Sequence, residues 1–202
     1  EFSRVLFRSG VATLAQHLAA AGYRVLVHDR RNCGASDVSI DGEGSEYEIW
    51  ADDLHAMMTE RGALPAYIGG SSAGCRLSLL FALKYPQATR ALLLWRVTGG
   101  SFAVNRLSNE YYGKYLAAAE KGGMAEVCKT DHYHEQCALR PENRQVLMAT
   151  DPAHFIRTMQ VWRDSFLKSA QSPVIGATEE QLKTLTIDRK STRLNSSHVA
   201  LS

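Results

Sequence analysis

The chain has little of the features that would indicate a metal, a disulfide framework or a membrane anchor. Its four cysteines, Cys33, Cys75, Cys128 and Cys137, show no paired spacing of the kind that metal sites use. Scattered cysteines are typical of a reducing compartment, so we expect a cytoplasmic protein without disulfides. No apolar run approaches the roughly 20 residues that cross a bilayer, and we therefore expect no membrane association.

An excess of one charge is also lacking, since 23 Lys and Arg residues oppose 21 Asp and Glu residues. Residues 1–9 and 188–202 resemble translated sequencing adapters, and we exclude such segments from fold reasoning. The remaining chain has 18 basic and 19 acidic residues. The basic pI therefore does not indicate a nucleic-acid partner. The adapter-like ends predict that the chain is a fragment of a metagenome-type gene.

The stretch around residues 66–81 contains a short pattern that is typical of a catalytic serine. Gly70-Ser71-Ser72-Ala73-Gly74 fits Gly-x-Ser-x-Gly, in which the serine lies on a sharp strand-to-helix turn. Such a turn needs small neighbours two positions on either side, and Gly70 and Gly74 meet that need. The pattern predicts Ser72 as the nucleophile. Ser71 is the less favoured alternative, because its flanking positions would be a glycine and an alanine.

The surroundings of this pattern distinguish it from other glycine-rich turns. Apolar residues precede it, an almost wholly apolar helix follows, and Ala91–Trp95 supply another buried strand. This order predicts a βαβ unit with parallel strands. A dinucleotide-binding fingerprint is excluded, because Ser72 stands at its second glycine and no acidic ribose partner follows at the right place. An ordinary βα loop remains the alternative to a catalytic elbow.

A second motif precedes the first at a specific spacing. The strand at 24–28 runs into Asp29, Arg31, Gly34 and Ser36, which match Asp-x-Arg-Gly-x-Gly-x-Ser. Asn32 stands where a glycine is usual, but asparagine tolerates a left-handed backbone better than most residues. With the elbow, this motif resembles the α/β-hydrolase fold superfamily, and the resemblance extends over about residues 10–187. The motifs indicate a superfamily and not a substrate.

The resemblance implies an α/β class with a partial parallel sheet, whose strands lie near 24–28, 66–70 and 91–95. We expect the first part of the core over 10–100, a helical lid over 101–170 and a truncated return to the core over 171–187. The central and C-terminal strands are expected to be missing. Residues 4–8 are apolar enough that we expect them to occupy the vacant central position.

Three stretches of the predicted helices carry polar or aromatic residues that need an interpretation. Asp151 and Pro152 predict a helix start, followed by an apolar stripe of Phe155, Met159, Trp162 and Phe166. We interpret the stripe as packing between lid and core, and it is compatible with a pocket walled by Tyr111, Tyr112 and Tyr115. We do not expect a metal site around His132 and His134, because alternate histidines lie far apart around a helix. The residues around Asp52 and His55 are interpreted as a solvated helix face, not a metal site.

The resemblance implies a serine hydrolase that forms an acyl-enzyme on Ser72, with the Ala73 amide as one oxyanion donor. It implies a small-molecule substrate and no metal or cofactor, and it does not address the oligomeric state. The triad acid and histidine are expected beyond Ile187, because His198 lies in the end segment and the other later histidines in the lid. We therefore expect the fragment to be inactive. The alternatives are a non-catalytic small-molecule-binding protein, a carbon–carbon hydrolase and a cofactor-free haloperoxidase.

Overall fold

A computed structural model describes residues 6–42 and 44–185, with side chains from residue 11 onward. The first half of the chain alternates helices and strands. Its elements are α1 (Leu6–Ala20), α2 (Glu46–Glu60), β1 (Ala66–Ser71), α3 (Ala73–Lys84) and β2 (Thr89–Trp95). A capping box starts α2, where the Ser45 Oγ accepts from the Glu48 amide and the Glu48 carboxylate accepts from the Ser45 amide. The N-terminus of α2 is thus set by local sequence.

The two strands are parallel neighbours, which confirms the predicted βαβ unit. Their register pairs Ile68 with Leu92 and Ser71 with Trp95, so both strands end at the same edge of the sheet. We call β1, the turn at Ser72, α3 and β2 (66–95) the elbow unit. Helix α3 contacts both strands and α2. The packed face of the unit is formed by Ile68, Leu77 and Phe81, all buried.

The predicted strand near 24–28 is wrong for the described part of the chain. Residues 23–30 carry no strand assignment, and the sheet of the described residues contains only β1 and β2. A strand exists through its ladder with a neighbour, so an apolar, β-prone sequence is not sufficient without a partner. The side chains of Tyr23, Leu26 and Val27 are 60%, 40% and 53% exposed. This segment has the composition of a strand but forms no strand ladder with another described segment.

The expectation for residues 4–8 is also wrong where the structure describes them. Residues 6–8 form the first turn of α1 and not a strand, because they continue the helical hydrogen bonding of residues 10–20. Helix α1 ends before Gly22, whose φ of 91° is the left-handed conformation that glycine favours at this position. Residues 1–5, the 186–187 start of the predicted next strand and the end segment 188–202 lie outside the described residues.

Residues 101–171 are helical, and we call them the helical region. Its elements are α4 (Ser101–Ser108), a π-helical turn (Asn109–Gly113), α5 (Lys114–Val127), α6 (Asp131–Leu139), α7 (Glu142–Ala149), α8 (Pro152–Leu167) and a 3₁₀ turn (Lys168–Gln171). Helix α5 is kinked, and Gly123 has a φ of 66° there. The predicted stripe of α8 is confirmed as packing, since Phe155, Met159, Trp162 and Phe166 are each 3% exposed or less.

The two ends of the helical region lie against each other. The Gly100 amide donates to the Ser172 carbonyl at 3.2 Å, and the Ile175 amide donates to the Thr98 carbonyl at 3.1 Å. A Cβ at residue 99 would lie 2.1 Å from the Pro173 oxygen, so only glycine fits this crossing. The chain thus leaves and re-enters the core at one place. A short helix, α9 (Glu179–Lys183), follows.

Candidate functional site

The turn between β1 and α3 holds Ser72 in a conformation that non-glycine residues rarely adopt. Ser72 has φ 54° and ψ −111°. Such a backbone costs on the order of 1–3 kcal/mol and persists only when the surroundings fix it. Main-chain hydrogen bonds do so, because the Ser72 amide donates to the Trp95 carbonyl at 3.2 Å. The Ser72 carbonyl accepts from the amides of Cys75 at 3.0 Å and Arg76 at 3.4 Å. The strained residue of the motif is therefore Ser72 and not Ser71, which ends β1.

The two glycines of the motif have different roles in this turn. A Cβ at Gly70 would lie 2.4 Å from the carbonyl carbon of Gly74 and 2.5 Å from its oxygen. A Cβ at Gly74 would meet no atom within 4 Å, leaving aside the backbone of its own helix. The close approach therefore excludes a side chain at residue 70, whereas residue 74 contributes its backbone to the contact.

Helix α3 begins directly after the strained serine, with Ala73 as its first residue. The amides of a helix's first turn have no intrahelical partner and lie at the positive end of the helix dipole. The Ser72 side chain does not cap this helix. An amide donor thus lies next to the Ser72 hydroxyl.

Cys75 connects the ends of both strands beneath this turn. Its thiol is fully buried, and Sγ lies 2.9 Å from the Gly70 carbonyl oxygen and 2.8 Å from the Trp95 carbonyl oxygen. Burial raises the pKa of the Cys75 thiol. The group is therefore a neutral donor to the two strand ends and not a nucleophile.

The loop of the second motif is folded by its own side chains. Asn32 has a φ of 62°, as its position in place of a glycine predicts. Its Oδ1 accepts from the Ser39 amide at 2.8 Å, and the Asp29 carboxylate accepts from the Ala35 amide at 2.9 Å. Arg31 binds the Asp53 carboxylate through both Nε (2.8 Å) and Nη2 (2.6 Å), which fixes the loop to α2. The motif therefore has a structural role that the described contacts explain.

Two histidines of the helical region, His132 and His154, contact loops of the core. The ring of His132 lies 2.9 Å from the Asn32 carbonyl oxygen, and that of His154 lies 3.1 Å from the Ile40 carbonyl oxygen. Desolvation by burial lowers the pKa of His132. Among the residues that the structure describes, no hydrogen bond joins a histidine to the Ser72 side chain. His198 lies outside them.

A buried charged cluster close to the elbow was missed by the sequence reasoning. Arg76 on α3 is 0% exposed, and its Nη1 donates to the Thr98 hydroxyl at 2.9 Å. Its Nε and Nη2 have no hydrogen-bond partner within the described parts of the chain, and neither has the Tyr47 hydroxyl. Each such donor costs about 1–3 kcal/mol. The available signal was Arg76 itself, a charged residue in an otherwise apolar run.

The tyrosines predicted to wall a pocket pack close to this cluster. Tyr112 and Tyr115 are buried, and Tyr111 is half-buried. The Tyr112 hydroxyl donates to the Glu46 carboxylate at 3.0 Å. Desolvation raises the pKa of Glu46 to about 7, although this hydrogen bond lowers it. The tyrosines therefore face polar groups as well as apolar ones.

Within residues 6–42 and 44–185, no group of three or more His, Cys, Asp and Glu residues is arranged to hold a metal ion. None of the helices described there is both long enough and apolar enough to cross a membrane.

Comparison with known proteins connects this geometry to one superfamily. A family model described as "alpha/beta hydrolase fold" matches residues 3–95, the part of the chain that holds both motifs and the elbow unit. The chain thus has the α/β-hydrolase fold with a partial core. An uncharacterized hydrolase, YraK of Bacillus subtilis strain 168, is 31% identical over 80 residues, which are 40% of this chain and 29% of YraK.

Another curated relative is the sn-1-specific diacylglycerol lipase ABHD11 of Mus musculus. It is 28% identical over 116 residues, which are 57% of this chain and 34% of the lipase. This α/β-hydrolase chain thus spans about a third of the length of the curated relatives it matches.

Solved structures that are similar to this chain include a thermophilic esterase from Thermogutta terrifontis, with 18% sequence identity and a TM-score of 0.38. That match covers 78% of this chain and 64% of the esterase. Est816, described as an N-acyl homoserine lactone degrading enzyme, has 20% identity and a TM-score of 0.34, covering 66% of this chain and 55% of Est816.

Proposed function

We propose that Ser72 is the nucleophile of a serine hydrolase that acts on an ester or related carbonyl compound of small size. The observation that carries the proposal is the strained backbone of Ser72 at the junction of β1 and α3. Strain of this kind is retained where it serves a function. The relatives named a hydrolase and a diacylglycerol lipase support an ester substrate, since a diacylglycerol is a carboxylic ester.

The chemistry follows from the atoms at the turn. The Ser72 oxygen attacks the carbonyl carbon, and the Ala73 amide donates to the oxygen that becomes negative. The leaving alcohol departs with a proton, and an acyl-enzyme remains on Ser72 until water hydrolyses it. The helical region, residues 101–171, acts as a lid over this site. Its two ends meet at residues 98–100 and 172–175, where a hinge would have to bend.

Proton transfer from Ser72 requires a base, which in this superfamily is a histidine. Because no described histidine is bonded to Ser72, we propose that the 202-residue chain does not turn over esters by itself. The same observation favours the second candidate, a small-molecule-binding protein of this fold that performs no chemistry.

The first test compares ester hydrolysis by this chain with hydrolysis by the product of its complete gene. With a short p-nitrophenyl ester, we expect no turnover by the 202-residue chain. For the complete protein we expect turnover that Ser72→Ala lowers about 10⁴-fold or more. Ser71→Ala is the matched control, since Ser71 is the adjacent serine at the end of β1, and it should keep most of the activity.

Three outcomes would contradict these proposals. Hydrolysis by the 202-residue chain that disappears with Ser72→Ala would disprove its inactivity. Loss of activity in Ser71→Ala but not in Ser72→Ala would show that Ser71, and not Ser72, is the nucleophile. A complete gene without a histidine after the helical region, and a product inert to esters, would leave the binding protein as the better description.

A further inference from the structure

The guanidinium of Arg76 is buried with one whole edge unoccupied. Its Nη1 donates to the Thr98 hydroxyl, whereas Nε and Nη2 have no partner among the described residues. These two nitrogens lie on the same side of the planar group, and together they form the fork that binds a carboxylate through two parallel hydrogen bonds. The unpartnered atoms are therefore a matched pair of donors and not two scattered ones.

Arg31 shows in the same chain what this edge binds when an acceptor is available. Its Nε and Nη2 contact the two carboxylate oxygens of Asp53 at 2.8 and 2.6 Å. Arg76 presents the same pair of atoms, but Glu46, a carboxylate that interacts with it electrostatically, accepts a hydrogen bond from Tyr112 instead. Within the described residues, the Arg31 fork thus binds a carboxylate and the Arg76 fork binds none.

The surroundings of Arg76 are suited to an organic acid. The guanidinium carbon lies 5.0 Å from the ring centre of Tyr47 and 5.7 Å from those of Tyr111 and Phe166. Aromatic faces stabilise a cation but accept none of its in-plane N–H groups. The buried Tyr47 hydroxyl is a further donor without a partner among the described residues. Rings and unpaired donors together match a ligand with an apolar body and one carboxylate.

Arg76 lies in the first turn of α3, four positions after Ser72. Tyr111 belongs to the π-helical turn and Phe166 to α8, so rings of the helical region lie against the Arg76 guanidinium. π-Helical turns occur frequently at functional sites. A ligand reaches the edge when these two rings move away.

We propose that Arg76, with the Tyr47 hydroxyl, is a binding subsite for the carboxylate of a small organic acid, and that the rings of Tyr111 and Phe166 contact its apolar part. The subsite does not depend on the chemistry of Ser72. If Ser72 is the nucleophile, the same subsite selects substrates or products that carry a carboxylate.

The test uses sodium benzoate as the probe, with benzamide as its neutral analogue and sodium sulfate as an inorganic anion, all at equal ionic strength. Binding to the full chain is measured by calorimetry, together with the midpoint of thermal unfolding. We expect benzoate to bind and to raise the midpoint, whereas benzamide and sulfate do neither. Equal effects of benzamide or of sulfate would overturn the assignment of a carboxylate subsite.

Variants then locate the probe. We expect Arg76→Met to weaken benzoate binding at least tenfold, and without the probe to unfold at the same temperature as the unmodified chain or higher, because it removes an uncompensated buried charge. Tyr47→Phe, which removes only a hydroxyl, should weaken binding severalfold. Arg106→Met changes an exposed arginine on α4 and is the matched control that should bind normally.

Ser72→Ala separates this inference from the proposed function. Benzoate binding that persists in Ser72→Ala and is lost in Arg76→Met supports the subsite, whether or not the protein hydrolyses esters. Binding that persists in both Arg76→Met and Tyr47→Phe would overturn it.

Discussion

In the elbow unit the decisive contacts are made by backbone atoms, whereas in the helical region they are made by side chains. Gly70 approaches the backbone of Gly74, and the Ser72 amide reaches the Trp95 carbonyl. In the helical region, aromatic rings such as Tyr112 and Phe166 pack at centroid distances of 5.7 Å. A backbone contact demands a particular residue, while a packed core accepts many apolar side chains of the right volume. The two regions should therefore respond differently to small and large substitutions.

The largest effect is expected from removing a large ring in the helical region. Trp162 on α8 is 1% exposed, so Trp162→Ala leaves a cavity and should lower the free energy of unfolding by about 3–5 kcal/mol. The adjacent Val161 is 56% exposed, and Val161→Ala should change stability by less than about 0.5 kcal/mol. Chemical denaturation measures both variants. Similar losses in the two would show that the packing of α8 is not what stabilises this region.

A single added carbon should be almost as damaging in the elbow unit. Gly70→Ala places a Cβ against the Gly74 backbone, which cannot move aside as a flexible side chain does, and we expect a loss of about 3 kcal/mol. Gly74→Ala is the matched control. Its Cβ meets nothing, and alanine is favoured in a helix, so stability should stay constant or rise by up to about 1 kcal/mol. If both variants lost the same free energy of unfolding in chemical denaturation, the proposed difference between Gly70 and Gly74 would be disproved.

A smaller, pH-dependent effect is expected at Glu46 of α2, which accepts a hydrogen bond from Tyr112 of the helical region. Its folded-state pKa is raised from 4.5 to about 7, so between these values the folded protein holds a proton that the unfolded chain has released. Stability should therefore fall as the pH rises through this window, by about 3 kcal/mol in total. Glu46→Gln, which keeps the shape and cannot ionise, should remove this fall and be more stable at pH 8.

The control is Glu120→Gln, an exposed position on α5. Unfolding free energies measured from pH 4 to pH 8 should show the same fall in this variant as in the unmodified chain. If stability still fell with rising pH in Glu46→Gln, the fall would have to come from another titrating group.

The features predicted correctly from sequence are those that local chemistry dictates. The strained turn at Ser72, the left-handed Asn32 and the cap of α8 each need a specific residue at a specific position. The apolar stripe of α8 was predictable because its spacing follows the helical period. These patterns require no knowledge of distant contacts.

What could not be predicted depends on partners that are far away in sequence. The segment 24–28 has the composition of a strand but no ladder partner among the described residues, and a ladder is not encoded in one segment. Arg76 was visible as a charge in an apolar helix, but its unpartnered edge depends on where Tyr47 and Phe166 pack. The π-helical turn at 109–113 is likewise set by tertiary packing and not by a local motif.

Cys75 is a built-in probe of how often the elbow unit opens, because its thiol is buried and hydrogen-bonded. Its thiol is 0% exposed and is held between the Gly70 and Trp95 carbonyl oxygens, so a thiol reagent reaches it only while the two strand ends are apart. The rate of labelling at Cys75 therefore reports how often the elbow unit opens under native conditions. Cys33 and Cys137 are partly exposed and serve as the reference, because the same reagent reacts with them without opening of the elbow unit.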